Sequence, residues 1–448
     1  MVTDAVDYRI YQRKNGHAQV RFAGTLPADN AGKPGYVAAR AVLEDDNLTV
    51  IPWTICERTG NDWAAVFTLP EGGLYRLEAV FSADEDAEWS WCGRVKLVRH
   101  IGVGELFLLT GQSNMSGYGR ESAHDPIQLG VHLYGNNGRW NLAAHPLNDS
   151  IDSIYPENYE LANATSPALS FARTVMNRLH VPVGLITAAL GGSPLRSWHP
   201  EEDGVLYRAM LRRLDVVGDV GNILWYQGCS DGNDTDAPVY LERFHRMIQL
   251  WRERMGSFNL VTVQLNRVIN YDTAGDRRWG MILEAQRRAP SIVEKCVVVS
   301  TGDLPLSDLI HNSASSNVVI GERMANAYLE RFFGLAGMQA PNVVRIERVG
   351  NDAAQIVFDC DGVIVIDESG KGFDFEDAGG LFGAVSAKRS GRGLLVRAAR
   401  PFGEHPRLHG YWRCTADAFV PHARHGMPML SFYNVPIEDP AAPACSEC

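Results

Sequence analysis

The chain has 448 residues, of which 45% are hydrophobic and 21% charged, and its formal net charge at pH 7 is −11. This length predicts two or three domains, and the composition argues against a disordered or fibrous protein. Because the acidic residues are spread along the sequence, neither nucleic acid nor a membrane is an expected partner.

Residues 1–100 carry short apolar runs that alternate with polar residues and are separated by Gly, Asp, Asn and Pro clusters. This pattern predicts a β-sandwich-like domain. The runs read HAQVRFAG, LTVIPWTI, WAAVFTL and LYRLEAVF.

Residues 101–335 change to strands that are apolar throughout, each followed by a helical period. This texture predicts an α/β domain with a parallel sheet covered by helices on both faces. The predicted strands are Glu105–Gly111, Val183–Leu190, Asn222–Gln227, Leu260–Leu265 and Cys296–Ser300. Helices are expected after Ser166 and Pro167, from Tyr240 to Met255, and over Ile320 to Phe332.

Residues 336–448 return to β texture in runs such as VVRIERV and GLLVRAA, so a second β-sandwich-like region is expected there. The eight cysteines are too scattered for a disulfide framework. Cys445 and Cys448 have the spacing of half a metal site, but a flexible terminus is the simpler interpretation of their Pro/Ala/Ser tail. No metal or cofactor is expected.

The beginning of the chain shows no secretory signal, and no stretch of eighteen apolar residues occurs in it. We therefore expect a cytoplasmic protein, and a chain trimmed from a secreted or periplasmic protein is the alternative.

Chemically versatile residues follow the strands at the carboxyl edge of the predicted sheet, where ligands bind in open α/β folds. The first strand leads into Gly111-Gln112-Ser113-Asn114-Met115, the second into Gly191-Gly192-Ser193, the third into Gln227-Gly228-Cys229-Ser230-Asp231, and the fifth into Asp308-Leu309-Ile310-His311. Singly, each residue could be a helix cap or a turn residue. Their occurrence together at one edge of the predicted sheet favours the interpretation that they form a catalytic site.

A serine hydroxyl becomes nucleophilic when a neighbouring imidazole accepts its proton, which assigns Ser113 as nucleophile and His311 as general base. Asp308 is three residues from His311 and can orient the imidazole, which completes a triad. The expected oxyanion hole combines the N–H groups of Ser113, Gly191 or Gly192 with the side-chain amide of Gln227.

The motif blocks resemble the SGNH (GDSL-like) hydrolase superfamily, and in particular its sialate O-acetylesterase and acetylxylan esterase branch. The blocks are LLTGQSNMSG, AALGGSPLRSWHP, LWYQGCSDGND and SDLIHN, in that order. The resemblance implies a three-layer α/β/α domain, acetyl ester hydrolysis without a metal, and Ser113, Asp308 and His311 as the triad.

The chain departs from the family pattern in two blocks. Cys229 replaces a usual glutamate, and Asn312 replaces a proline that often follows the histidine. A structural or pocket-lining role for Cys229 is favoured over a second nucleophile.

Residues near the motif blocks are candidates for contact with substrate. They are Gln112, Asn114, Arg196, Cys229 and Asp231, and beside them Tyr118, Arg120 and His199. Trp198 and Trp225 are expected to be core residues, because aromatic packing is commoner than stacking on a ligand.

The sequence thus predicts a serine esterase that removes acetyl groups from a carbohydrate, with sialate O-acetyl esters favoured. Acetylxylan or another acetylated glycan is the close alternative. A carbohydrate-binding protein with an inactive hydrolase domain, and a lipase or thioesterase, are alternatives of other classes. No oligomeric state is predicted.

Overall fold

A computed structural model describes residues 4–161, 164–269, 273–360, 362–363, 367–415 and 419–439. Cys445 and Cys448 lie outside the described residues, so the interpretation of their spacing stays a prediction.

The amino-terminal region is built from strands, as its alternating runs predict. They are β1 (Ile10–Gln12), β2 (His17–Thr25), β3 (Tyr36–Leu43), β4 (Thr49–Ile55), β5 (Glu57–Thr59), β6 (Asp62–Pro70), β7 (Gly72–Ser82) and β8 (Gly93–Gly111). One sheet has the order β2-β6-β5, and β3, β4 and β7 join a second sheet through β8. Val20 and Phe22 of the first sheet share a buried cluster with Leu77 of the second.

The central region follows the predicted alternation of strands and helices. Its elements are α1 (Ser113–Ser116), β9 (Val131–Tyr134), β10 (Trp140–Leu142), α2 (Ala168–Leu179), β11 (Val183–Thr187), α3 (Val205–Val217), β12 (Asn222–Tyr226), α4 (Tyr240–Met255), β13 (Asn259–Val263), α5 (Thr273–Ile292), β14 (Cys296–Val299) and α6 (Ala314–Phe333). The predicted strands and helices are present, with boundaries shifted by a few residues. The short strands β9 and β10 lie in the segment after Ser113, where no strand is predicted.

The central sheet has the order β10-β9-β11-β8-β12-β13-β14. The pairs from β9 to β14 are parallel, whereas β10 pairs antiparallel with β9, and β7 pairs antiparallel with the first half of β8. The expectation of a parallel sheet is therefore corrected to a mixed one. The correction has a physical cause: β8 has 19 residues, so it is long enough to serve both the amino-terminal sheet and the central one.

The register of the parallel strands brings their carboxyl ends to one edge. Gly111 at the end of β8 pairs with Tyr226 at the end of β12, and Thr187 at the end of β11 pairs with Leu109. The residues that follow β8, β11 and β12 therefore lie side by side at the carboxyl edge of the sheet, where the sequence predicts that the motif blocks meet.

Helices pack against this sheet and against one another. Helix α2 contacts α6, β9 and β11, and α6 also contacts β13 and β14, whereas α4 and α5 contact each other. The buried residues of helices and sheet form one cluster, which includes Phe107, Phe171 and Tyr328 in edge-to-face contact. None of the helices in the described residues is both long and apolar enough to cross a membrane.

The carboxyl-terminal region is a closed barrel. Its strands are β15 (Val343–Val349), β16 (Ala353–Phe358), β17 (Phe373–Asp377), β18 (Gly380–Ser390), β19 (Gly393–Ala398), β20 (Arg407–Gly410) and β21 (Phe432–Glu438). Within the described part of the chain, β15 and β21 close the ring by pairing in parallel. The expected sandwich-like region is thus corrected to a barrel. Alternating apolar residues bury one face of a sheet in a sandwich and in a barrel alike. The pairing that closes the ring joins residues 91 positions apart, Ile346 with Ile437 and Glu347 with Glu438.

Candidate active site

Ser113 lies directly after the central strand of the sheet. It is the first residue of α1, two positions beyond the end of β8 at Gly111. Gly111 has φ +119°, and a Cβ at this position would lie 2.2 Å from the carbonyl oxygen of Tyr226. Only glycine fits here, so the turn that presents Ser113 depends on it.

His311 links Ser113 to Asp308. Its Nε2 lies 2.9 Å from Ser113 Oγ, and its Nδ1 lies 2.8 Å from Asp308 Oδ2. An ionised carboxylate only accepts hydrogen bonds. The proton of a neutral imidazole is therefore on Nδ1, and Nε2 is left to accept the proton of the serine hydroxyl. This is the protonation state that a general base needs.

The segment from Asp308 to His311 forms a closed turn. Asp308 Oδ1 accepts the backbone N–H groups of Ile310 and His311, each at 2.9 Å, and Ser307 N–H donates to the carbonyl oxygen of His311 at 2.8 Å. One carboxylate group therefore fixes the backbone of the turn with one oxygen and the imidazole with the other.

The charge state of Asp308 follows from these contacts. Partial burial raises the pKa of Asp308, but the hydrogen bonds from the His311 side chain and from the two backbone N–H groups outweigh it. The net pKa lies below the ordinary value of 3.8. The carboxylate is ionised at neutral pH and can stabilise an imidazolium on His311.

Asn312 anchors this turn to the rest of the site. It is fully buried; its N–H donates to Asn114 Oδ1 at 3.0 Å, and its side-chain amide donates to the Tyr226 hydroxyl at 2.8 Å. Asn266 donates to its side-chain oxygen at 2.8 Å. The residue that departs from the family pattern thus connects the histidine turn to the nucleophile block and to the end of β12.

Two backbone N–H groups of the predicted oxyanion hole, those of Ser113 and Gly192, make no hydrogen bond within the described residues. Leu190 N–H and Ser193 Oγ both donate to the carbonyl oxygen of Gly111, at 3.0 and 3.3 Å. The loop that carries Gly192 is therefore fastened beside the strand end that leads to Ser113.

Two other members of the predicted oxyanion hole are already bonded to protein groups. Gly191 N–H donates to Glu160 Oε2 at 2.8 Å. The side-chain amide of Gln227 is fully buried and donates to the carbonyl oxygen of Ser193 and to Asp231 Oδ2. The assignment of Gly191 and Gln227 as oxyanion donors is corrected, because neither has a proton left for a bound oxyanion.

Comparison with known proteins shows the family of this chain. Residues 103–330, just over half of the chain, match the family described as carbohydrate esterase, sialic acid-specific acetylesterase. The chain belongs to this family. It is therefore a carboxylic ester hydrolase of the carbohydrate acetylesterase class.

Two relatives extend the comparison. A probable carbohydrate esterase from Arabidopsis thaliana is 29% identical over 252 residues, which cover 51% of this chain and 91% of the plant protein. The crystal structure of a carbohydrate acetylesterase from Xanthomonas citri, XAC1771, is similar with a TM-score of 0.68 and 21% identity. The match covers 95% of this chain and 97% of that one. At this identity the likeness shows the fold.

In this esterase, two charged residues that the sequence nominates for substrate contact have protein partners. Asp231 is fully buried and accepts the N–H of Leu195 as well as the amide of Gln227. Burial raises the pKa of Asp231 to about 6. Arg196 is half-exposed and pairs with Asp203 at 3.1 Å. In the structure, Asp231 therefore holds neighbouring protein groups, and Arg196 forms an ion pair with an acidic surface residue.

Gln112 and Asn114, also nominated for substrate contact, are buried and bond to backbone groups. The side-chain oxygen of Gln112 accepts Gly228 N–H at 3.0 Å, and Asn114 contacts the histidine turn. Burial raises the pKa of the Cys229 thiol to about 12. A thiol with this pKa is protonated at neutral pH, which argues against a second nucleophile.

The aromatic side chains near the second and third blocks belong to the core. Trp198 and Trp225 are buried and meet edge-to-face at 5.6 Å, and Trp198 donates its indole N–H to Ser193 Oγ at 3.1 Å. His199 is buried as well, and burial lowers its pKa. These positions do not offer a stacking surface to a sugar ring.

Two residues near Ser113 and His311 make contacts that the sequence does not predict. The ring of Tyr118 stacks on His311 with centroids 4.7 Å apart, and its hydroxyl lies 3.3 Å from Glu160. Tyr118 stands three residues beyond the GQSNM motif, and this position makes it a candidate for contact with substrate, whereas the structure places its ring on His311. Glu160 lies in no motif, and no local signal marks it. Arg120 reaches within 3.8 Å of Asp308 Oδ2 from an exposed position.

Proposed function

We propose that this esterase hydrolyses O-acetyl esters of carbohydrates, with acetylated sialic acids as the substrate class, through a Ser113–His311–Asp308 triad and an acetyl-enzyme intermediate. The observation that carries the proposal is the continuous hydrogen-bond path from Ser113 Oγ through His311 to Asp308, with distances of 2.9 and 2.8 Å. Membership of the sialic acid-specific acetylesterase family supports the substrate class.

The first half of the reaction transfers the acetyl group to the enzyme. His311 Nε2 takes the hydroxyl proton while Ser113 Oγ bonds to the acetyl carbonyl carbon. The N–H groups of Ser113 and Gly192 are placed to hold the resulting oxyanion. Collapse breaks the bond to the sugar oxygen, which receives the proton from His311. The products are a free sugar hydroxyl and acetyl-Ser113.

The second half returns the enzyme to its starting state. His311 removes a proton from water as the water oxygen attacks the acetyl carbonyl carbon. Collapse of the second oxyanion breaks the bond to Ser113 Oγ, and His311 gives the proton back to that oxygen. Acetic acid leaves and loses its proton to solvent. Asp308 stabilises the imidazolium in both halves.

The proposal includes a three-layer SGNH hydrolase domain at residues 101–335, between β-rich domains at 1–100 and 336–448. Helices α2 and α6 contact each other and the sheet, and α4 packs Phe244 and Trp251 against Trp225 of β12, which supports the layered arrangement. The strand β8 crosses the boundary near residue 100, so the amino-terminal domain shares a continuous strand with the catalytic one.

Hydrolysis of p-nitrophenyl acetate by wild type and by Ser113→Ala tests the mechanism. We expect Ser113→Ala to lower kcat at least about 10³-fold, whereas Ser291→Ala, on the exposed end of α5, leaves it unchanged. Equal rates in wild type and Ser113→Ala would contradict the esterase mechanism and favour a carbohydrate-binding protein.

Acetate release from O-acetylated sialic acid and from acetylated xylan then tests the substrate class. A higher kcat/KM for the sialic acid ester is expected, and a preference for xylan would replace the substrate assignment while leaving the mechanism in place.

A further inference from the structure

Glu160 lies where the two halves of the active site meet. Its Oε2 accepts Gly191 N–H at 2.8 Å and lies 3.3 Å from the Tyr118 hydroxyl, and its Oε1 accepts the side-chain amide of Asn148 at 2.7 Å. Gly191 precedes Gly192, the proposed oxyanion donor, and the Tyr118 ring stacks on His311, the proposed general base. One carboxylate therefore contacts both sides of the reaction centre.

On the base side, Glu160 acts through Tyr118. The Tyr118 ring lies nearly parallel to the His311 ring, with an interplanar angle of 29° and centroids 4.7 Å apart. Burial and the charge of Glu160 raise the pKa of Tyr118 to about 12, so the hydroxyl keeps its proton and donates to the carboxylate. This bond holds the tyrosine ring flat against the imidazole.

On the oxyanion side, Glu160 fastens the loop that follows β11. A Cβ at Gly191 would lie 2.7 Å from Glu160 Oε2 and 2.9 Å from the Tyr118 hydroxyl, so the contact requires glycine. In the same loop, Leu190 N–H and the Ser193 hydroxyl donate to the carbonyl oxygen of Gly111. The Ser230 hydroxyl donates to the carbonyl oxygen of Gly192. Glu160 adds an attachment at Gly191, directly before Gly192.

The segment that carries Glu160 is built to hold this position. Asn148 donates to the carbonyl oxygen of Ala189 as well as to Glu160, and Asn158 donates to the carbonyl oxygens of Ala188 and Ala189. Glu160 N–H donates to Ser150 Oγ at 3.1 Å. The segment between α1 and α2 thus holds the loop after β11 through several polar contacts. Glu160 supplies a carboxylate to these contacts.

We propose that Glu160 is a positioning residue, which sets the oxyanion donor loop through Gly191 and the general base through Tyr118. The proposal rests on the proposed function. A carboxylate is required because both oxygens accept hydrogen bonds, and glutamine would turn an N–H₂ group toward one of the donors. Because these groups act on the transition state, loss of Glu160 should lower kcat more than it raises KM.

The test compares Glu160→Gln with wild type on p-nitrophenyl acetate and on the O-acetylated sugar that the wild type cleaves. We expect kcat to fall about 10- to 100-fold on both esters, with KM within about threefold and an unchanged thermal midpoint. Glu160→Asp, which keeps the charge, should recover part of the loss. Tyr118→Phe, which keeps the stacked ring, should lose less than Glu160→Gln. The matched control is Glu157→Gln, in the same segment, where the carboxylate pairs with Arg212.

Three results would overturn the proposal. Wild-type kcat in Glu160→Gln would show that the contacts are dispensable. A loss confined to the sugar ester would make Glu160 a substrate-binding residue. A fall in kcat that follows a lowered thermal midpoint would make its role structural. Failure of the esterase mechanism is distinguishable, because it appears as wild-type protein that is inactive or is unaffected by Ser113→Ala.

Discussion

At the residue scale, Asp308 shows how one side chain can serve a local turn and, in the proposed mechanism, a reaction. Its Oδ1 accepts the two backbone N–H groups of the turn, and its Oδ2 accepts His311 Nδ1–H. The two Oδ1 contacts shape the turn, and the Oδ2 contact sets the tautomer of His311. A substitution that keeps the Oδ1 contacts but replaces the Oδ2 acceptor by a donor distinguishes the two roles.

Asp308→Asn is such a substitution. The amide oxygen can still accept from the turn, but the N–H₂ group then faces His311 Nδ1 and favours the tautomer with the proton on Nε2. We expect kcat for p-nitrophenyl acetate to fall by roughly 10⁴-fold, as measured by steady-state kinetics. Asp219→Asn, an exposed carboxylate paired with Lys14, is the control. A fall of less than tenfold in Asp308→Asn would mean that another group orients His311.

At the element scale, the close packing of α2 and α6 holds the helix that follows His311. Helix α6 begins at Ala314, three residues after His311, and Ser313 caps it by accepting Ser316 N–H at 3.1 Å. Where α6 meets α2, Gly321 allows the two backbones to approach closely. A Cβ at Gly321 would lie 2.0 Å from Ser170 Oγ and 2.1 Å from the carbonyl oxygen of Pro167.

Gly321→Ala should therefore push the two helices apart. Overpacking of this kind costs about 1–3 kcal/mol, and the displacement of α6 should also lower kcat because the histidine turn moves with its amino-terminal end. Urea denaturation measures the first effect, and hydrolysis of p-nitrophenyl acetate the second. Gly383→Ala, on β18 with open space around it, should change the unfolding free energy by less than about 0.5 kcal/mol. Equal stabilities of the two variants would contradict the packing argument.

At the scale of the whole molecule, buried polar contacts join the amino-terminal region to the central region. Arg9 is buried and donates to the carbonyl oxygen of Val217 at 2.9 Å. His132 on β9 is fully buried, donates from Nδ1 to the carbonyl oxygen of Tyr8 at 2.7 Å, and accepts Gly130 N–H on Nε2. Both ring nitrogens of His132 are used by the neutral imidazole, so a second proton would break a contact.

His132 should make the folded protein sensitive to acid. Burial lowers the pKa of His132 from 6.5 to about 4. The unfolded state therefore binds more protons between these values, and stability is lost as the pH falls from 6.5 toward 4. The difference corresponds to roughly 3 kcal/mol. Urea denaturation of wild type and His132→Asn across this interval measures it.

We expect the variant to be less stable than wild type at pH 7 and to lose less stability on acidification. His17→Asn, at an exposed position, should keep the wild-type slope. A variant of His132 with the wild-type slope would show that other groups, such as the buried His409, whose pKa is also lowered to about 4, carry the acid sensitivity.

The sequence by itself determined the features that depend on short stretches of chain. In the central region, continuous apolar runs predict the strands and the helical period of apolar residues predicts the helices, because each element buries its own apolar surface. Ser113 lies just after a strand, so a local turn suffices to present it. Asp308 is three residues from His311, so a local turn also suffices to join these two side chains. The family motifs lie in the same short segments.

Only the tertiary structure decided the features that join distant segments. The contact of Glu160 with Gly191 spans 31 residues, and the anchoring of the histidine turn by Asn114 spans 198. The closure of the barrel by β15 and β21 and the loss of Gln227 as an oxyanion donor belong to the same class. A hydrogen-bonding group is used up by whichever partner the fold brings to it, and that partner is fixed by the packing of the whole chain.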